Sequence, residues 1–524
     1  MKYRICISAL LLWAGMQVSA SNNQKEVVIK IIETSDVHGN FFPYNFIERK
    51  EWSGSLARVH SFVKEQREKY GDNCLLMDNG DILQGQPTAY YYNFMDTVST
   101  HVAADMMNYM GYVVGNMGNH DVETGHAVYD RWIKQCDFPV LGANIIDNAT
   151  GKPYLKPYEV LERDGVRIAV LGMITPAIPS WLPEKLWSGL HFEEMEPCAR
   201  KWVKIIKEKE NPDVIVGLFH AGKSGNVLGQ VVEDASMDVA KRVSGFDVVL
   251  MGHDHTRECV KVQNVAGDSV LVIDPANNAN VVSDVTLTVT KKDGKVVEKS
   301  VEGRLADINK YPVSREFMDK FAPQYKAVND FVSRKIGTIS RTITAKDAYF
   351  GSSPFIDLIH QLQLEISGAE VSFCAPLSFR AEIKEGDIYV SDMFNLYKYE
   401  NMLYVMELSG KEIKGFLEMA YAIWTNQMKS SEDHLMLFKE PVEKGKRANF
   451  KNFSFNFDSA AGINYTVDVT KPAGEKITIQ SMSDGTPFSM DKVYKVALNS
   501  YRGNGGGDLL TLGAVSYTHL TLPT

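Results

Sequence analysis

Five short fragments of this chain gather aspartate, histidine and asparagine: Ser35-Asp36-Val37-His38-Gly39, Asn79-Gly80-Asp81, Gly118-Asn119-His120-Asp121, Phe219-His220-Ala221 and Gly252-His253-Asp254-His255. Residues at i and i+2 of a tight loop can address one ion or two neighbouring ions, which suits Asp36 with His38 and His253 with His255. Carboxylate and imidazole without thiolate suit zinc, manganese or iron better than a cysteine-rich structural zinc site. A calcium site would not recruit so many histidines. An aspartate can bridge two ions, and a pair about 3.5–4 Å apart can activate a water and clamp both oxygens of an in-line phosphoryl displacement. Singly, each fragment reads as a packed histidine or a turn-forming Asp or Asn. As a set, holding five of the twelve histidines, the fragments read as one metal site.

Such a site needs elements that deliver distant loops to one place. Each fragment follows an apolar run of strand type, at 27–34, 75–78, 113–115, 214–219 and 247–251, with a further run at 168–173. Between them, 56–70, 102–110 and 199–208 carry apolar residues at helical spacing. That alternation implies a layered α/β domain, and the ends of like-directed strands converge on one edge of a sheet. Segment 281–290 alternates like a terminal antiparallel strand.

A boundary is expected near residue 301. Segment 314–336, after Tyr311-Pro312 and before Gly337, reads as a connecting helix. Beyond it, helices at 354–366 and 410–424 and strands at 371–373, 402–408, 463–469 and 493–498 imply a second, α+β domain. The expected division is a signal peptide at 1–20, a catalytic domain at 26–300, a linker at 301–345 and a C-terminal domain at 346–513. Residues 514–524 stop without completing an element and read as an artefactual tail.

Length and composition frame these readings. A chain of 524 residues exceeds one ordinary core. Its 44% hydrophobic and 23% charged residues are those of a soluble globular protein. A net charge of -9 excludes a broad basic surface for long nucleic acid, so an anionic substrate must be drawn by metal ions or a few arginines. Lys2 and Arg4, an apolar stretch from Ile5 to about Val18 and the small residues Val18-Ser19-Ala20 read as an export signal, giving a periplasmic or secreted protein. No later segment approaches membrane-spanning length. Cys74, Cys136, Cys198, Cys259 and Cys374 are scattered, without a CxxC pair, which argues against a disulfide framework. Oligomeric state is not legible in the sequence.

The ordered set Asp-x-His, Gly-Asp, Gly-Asn-His-Asp, His and Gly-His-x-His resembles the calcineurin-like metallophosphoesterases. Ala375-Pro376-Leu377-Ser378-Phe379-Arg380, Phe455-Asn456-Phe457-Asp458 and Asn499-Ser500-Tyr501-Arg502-Gly503-Asn504-Gly505-Gly506 resemble the C-terminal domain of 5′-nucleotidases. The resemblance implies a layered sandwich domain followed by a smaller α+β domain. It implies two divalent metal ions, one held by Asp36, His38, Asp81 and His255, the other by Asp81, Asn119, His220 and His253. His120 matches a non-ligand histidine that meets the phosphate. Glu123 stands where relatives of the 5′-nucleotidase type place the aspartate that orients that histidine, and Asp121 is the weaker partner. Arg380 matches a phosphate-binding arginine, and Phe457 with Tyr501 match a base-stacking pair, with Phe455 an alternative to Phe457. Trp181 and Asn426-Gln427 lean toward 2′,3′-cyclic-nucleotide 2′-phosphodiesterase/3′-nucleotidases. A 5′-nucleotidase or UDP-sugar diphosphatase on the same scaffold is the alternative, and an exported, non-catalytic metal- and nucleotide-binding protein is the reading of another class.

Overall fold

In the strand Gln24–Thr34, alternation sends Ile29 and Ile31 to one face and Ile32 to the other, and all three are buried. A strand covered on both faces belongs inside a layered sheet. Cys74–Asp78, Val114–Asn116 and Val140–Leu141 extend this sheet in parallel on one side, and the antiparallel strands Val281–Lys292 and Lys295–Asp307 complete six strands on the other. A second six-stranded sheet has Val166–Ile174, Val214–His220, Val248–Met251 and Ser269–Pro275 in parallel, edged by antiparallel Tyr158–Arg163 and Arg257–Gln263. The sheets pack face to face through Ile29, Ile31, Leu75 and Met77 of the first and Ile168, Val170, Val216, Leu218 and Leu250 of the second.

Helices cover the outer faces, Leu56–Tyr70 and Val102–Met110 on the first sheet, Met195–Glu210 and Ser236–Arg242 on the second. Leu56–Tyr70 starts where the Ser55 hydroxyl accepts the Arg58 N–H and stops at Gly71, whose φ of 53° leaves the helical region. It buries Leu56, Val59, Phe62 and Val63 along one stripe. The four layers are therefore helix, sheet, sheet, helix.

The computed structural model describes residues 24–228, 230–378, 380–397, 401–440, 448–513 and 520–521. The expected signal peptide lies outside them, as does the expected tail apart from Leu520–Thr521, which pairs with Leu403–Ser409. Among the described residues no helix is long and apolar enough to cross a membrane.

The C-terminal half builds a smaller sheet in the order Ser459–Ala461, Val371–Cys374, Val493–Asn499, Leu403–Ser409, Leu520–Thr521. Helix Gly410–Trp424 packs on it, opened by the reciprocal bonds of Ser409 and Glu412 and burying Ile413, Phe416, Leu417 and Trp424.

Two elements differ from the sequence reading. Residue 301 lies inside Lys295–Asp307, an edge strand whose lysines and glutamates face solvent and mask its period. Segment 314–336 is two helices, Arg315–Lys320 and Ala322–Val332, because Pro323 has no N–H for a continuous ladder and instead opens the second helix. The halves meet where Tyr90 sets its edge against Phe394 at 5.1 Å and Arg49 lies 3.9 Å from the centre of the Tyr389 ring.

Candidate metal centre and interdomain cleft

Register decides where the ligands emerge. Thr34 pairs with Asp78 and Asp78 with Gly115, so three loops leave the first sheet level with one another. Phe219 pairs with Met251 in the second sheet, which brings His220 and the His253 loop to the same end. The loops then bind each other. Asp36 N–H donates to Gly80 O at 3.0 Å and His38 N–H to Asp81 O at 2.9 Å. Asp121, fully buried, accepts the N–H groups of Asp81, Ile82, Leu83 and Gly118 at 2.8–3.0 Å. That carboxylate is a loop clamp rather than a partner of His120.

Five of the seven expected ligands, Asp36, His38, Asp81, His253 and His255, have φ between 50° and 82°. Non-glycine residues in this region are strained and collect at functional sites. At Gly118 the strand-to-helix turn leaves no space for a side chain, since a Cβ would fall 2.2 Å from Asp81 Oδ1.

The imidazoles are oriented from behind. His38 Nδ1 lies 3.1 Å from Gln84 O, His220 Nδ1 2.7 Å from Asn79 O, and His253 Nε2 3.0 Å from Glu233 Oε1. Each acceptor fixes the N–H on the outer nitrogen and turns the other lone pair inward, the arrangement that supports metal-bound histidines. Inside, His38 Nε2 and His255 Nε2 face each other at 3.0 Å, and Asp36 Oδ1, buried without a hydrogen bond of sound geometry, lies 3.2 Å from His255 Nε2. Asp81 Oδ2 sits 3.3 Å from His220 Nε2 and 4.0 Å from His38 Nε2, between the two rings. Asn119 Oδ1 lies 3.0 Å from His220 Nε2 and 2.8 Å from His253 Nδ1. Donor atoms of Asp36, His38 and His255 lie within 4.8 Å of one another, as do those of Asp36, Asp81 and His220. Converging lone pairs and an orphaned buried carboxylate oxygen are what cations would satisfy, and the residues fit a pair of them. The field of the carboxylates is felt nearby. Burial opposes a charge on His220, while Asp81 and Asp36 favour one there, a pull that a cation held at its inward nitrogen would answer instead.

His120 stands at the edge of this cluster. Its N–H donates to Asp81 Oδ1 at 2.8 Å, and its Nδ1 lies 2.5 Å from Glu123 Oε2 one helical turn on. Burial disfavours its charge, yet Asp81 and Glu123 raise its pKa to about 9. The contact leaves Nε2 as the nitrogen free for a ligand.

A cleft of about 270 Å³ opens in front of these groups. Asn119, His120, Glu123, Trp181, Glu233 and His253 form one wall; Leu377, Asn401, Phe455, Asn499 and Tyr501 of the C-terminal half form the other.

Two family models match the chain, calcineurin-like phosphoesterase over residues 29–257 and 5′-nucleotidase, C-terminal domain, over residues 335–513. The N-terminal half thus matches the calcineurin-like phosphoesterases and the C-terminal half the 5′-nucleotidases. It is 26% identical over 94% of its length to the trifunctional nucleotide phosphoesterase protein YfkN of Bacillus subtilis, of which it spans only 37%. It is 25% identical over 95% of its length to a 2′,3′-cyclic-nucleotide 2′-phosphodiesterase/3′-nucleotidase of Yersinia enterocolitica, covering 84% of that protein. The fold of a putative 5′-nucleotidase from Staphylococcus aureus superposes with a TM-score of 0.77, at 23% identity, over 95% of this chain and 94% of that one. As a calcineurin-like phosphoesterase with a 5′-nucleotidase-type C-terminal domain, it is a metal-dependent phosphoesterase whose cofactor is two divalent ions.

Within this phosphoesterase, two expected site residues stand away from the cleft. Phe457 is fully buried, stacked on Trp424 at 5.7 Å and 2° and packed edge-on against Tyr349, so it is a core residue with no face to offer. The three-residue turn Ser454–Asn456 before it breaks the alternation and presents Phe455 instead, 6.2 Å from Tyr501 at 82°. Arg380 lies in an exposed turn, and its loop lines the cleft through Leu377. Sequence reasoning missed Glu233, on the second strand of the hairpin Gly225–Leu228 and Val231–Asp234. Its signal was thin: a glutamate in an apolar stretch with no histidine beside it.

Proposed function

We propose that this protein is an exported two-metal hydrolase of nucleotide phosphate esters, acting as a 2′,3′-cyclic-nucleotide 2′-phosphodiesterase and 3′-nucleotidase. The observation that carries this reading is one cleft with the metal-ligand cluster and His120 on one wall and the aromatic rings of Phe455 and Tyr501 on the other. The relatives of that name from Yersinia enterocolitica, Salmonella typhimurium and Haemophilus influenzae, at 25–26% identity and over 83–84% of their lengths, support the ester preference. Export rests on Lys2, Arg4, the apolar stretch and Val18-Ser19-Ala20.

When bound, the two ions supply charge for the phosphate and acidify the attacking water. Asp36, His38, Asp81 and His255 would hold one, and Asp81, Asn119, His220 and His253 the other. Two carboxylates among seven ligands leave positive charge to attract a phosphate despite the acidic chain. His120, aligned by Glu123, hydrogen-bonds the phosphoryl group and hands a proton from Nε2 to the leaving ribose oxygen. Phe455 and Tyr501, set edge to face, give the base an aromatic corner in which it stacks on one ring and meets the other, a contact that tolerates any base.

The test is a product analysis on zinc- or manganese-reconstituted enzyme with 2′,3′-cyclic AMP, 3′-AMP, 5′-AMP and UDP-glucose. The expected sequence is cyclic ester to 3′-AMP to adenosine and phosphate. Hydrolysis of 5′-AMP or UDP-glucose with the cyclic ester untouched would overturn it.

A further inference from the structure

Phe455 and Tyr501 come from loops 46 positions apart, and one side chain joins those loops. Arg502 is 1% exposed. Its Nη2 donates to Phe455 O at 3.2 Å, Asn456 Oδ1 at 3.1 Å and Asp458 Oδ2 at 2.6 Å. Its Nη1 donates to Gly506 O, and its own N–H to Asn499 Oδ1 at 2.8 Å. The guanidinium carbon lies 5.4 Å from the centre of the Tyr501 ring. Gly506 lies so close beneath that ring that a Cβ there would meet Tyr501 Cε2 at 2.5 Å. Phe457, stacked on Trp424 in the core, anchors the Phe455 turn from the other side.

From this arrangement we infer that Arg502 is the positioning residue of the aromatic slot: its buried, forked guanidinium sets how far apart, and at what angle, Phe455 and Tyr501 stand. The inference rests on the proposed packing of the base against those two rings. A planar fork can reach the Phe455 turn and the Gly506 loop at once, whereas an ammonium is a single point. The side chain does not line the cleft, so it acts on the base through the two rings. Specificity for esters that carry a base then depends on a residue that no substrate touches. An ester without a base, seated at the metal wall alone, is indifferent to it.

The experiment compares Arg502→Lys, Asp458→Asn and Tyr501→Ala on the metal-loaded, full-length enzyme, with the preferred nucleotide and with glycerol 2-phosphate, which has no base. Arg502→Lys is expected to raise the nucleotide KM about tenfold, with kcat and the glycerol phosphate KM moving less than twofold. Asp458→Asn, which keeps an acceptor but loses the charge, should raise the nucleotide KM about threefold and replaces Arg502→Lys as the deciding variant if that protein fails to fold. An unchanged nucleotide KM, or equal losses on both esters, overturns the inference when Tyr501→Ala does raise the nucleotide KM. If Tyr501→Ala leaves that KM unchanged, the stacking reading itself has failed and the inference falls with it.

Discussion

Asp81 sits between the two expected ion sites: Oδ2 lies between His38 and His220, and Oδ1 accepts the His120 backbone N–H. Asp81→Asn is expected to lower kcat by at least about 10³-fold, comparable to losing a strong electrostatic contributor. Elemental analysis should show fewer than two ions per chain, with far-UV circular dichroism unchanged. Glu123 is predicted to act on rate alone. Glu123→Gln should reduce kcat about 10–100-fold, because His120 loses its charged partner, while metal content stays at two. Loss of metal in that variant would move Glu123 out of its assigned role. Glu233 is the converse case. Glu233→Ala frees His253 Nε2 and should weaken binding of an ion about 10–100-fold by calorimetric titration, the usual effect of removing such a support.

At the scale of elements, strand ends were the most legible feature, because each ligand fragment follows a run of buried apolar residues, as at Val214–His220 and Val248–Met251. The helices Leu56–Tyr70 and Gly410–Trp424 were readable from the period of their apolar residues. What could not be read is which neighbour in a local motif faces the site. Phe455 and Phe457 are two apart and would share a strand face, but the intervening turn separates them, and a turn of three residues leaves no periodic trace. The Glu123 contact was legible only through the resemblance: its reach to His120 depends on both residues lying in helix Asn119–Glu123, whose five residues are too short to show a period. That helix supplies a test of its own. Gly118→Ala puts a methyl against Asp81, and by displacing that carboxylate it should reduce metal affinity more than tenfold although no ligand residue is replaced.

Over the whole molecule, the two halves share an acid-sensitive weakness through buried neutral histidines. His360, bonded to Ser372 and Ser459 hydroxyls in the C-terminal half, has its pKa pushed down to about 4 by burial; His101 in the N-terminal half is pushed down to about 3, chiefly by burial. Both lie below the ordinary histidine value of 6.5. The unfolded chain therefore binds more protons in this window, so stability rises with pH and is lost as pH falls from 6.5 toward 4. For His360 the loss should approach about 2 kcal/mol at pH 5. Urea midpoints at pH 7 and pH 5 check it: the wild-type protein should fall further than His360→Gln, and parallel shifts would refute the assignment.

The left-handed backbone at five ligand positions sets affinity for ions against conformational ease. An L-residue in that region carries about 1–2 kcal/mol of steric strain, part of which glycine recovers after its own entropy loss on folding. His255, half-exposed at φ 56°, is the position where this is simplest to see. In chelator, His255→Gly should melt no lower than the parent and gain up to about 1 kcal/mol. Added zinc should then reverse the ranking, because the parent alone would be stabilised fully by the ions its twisted loops are shaped to receive.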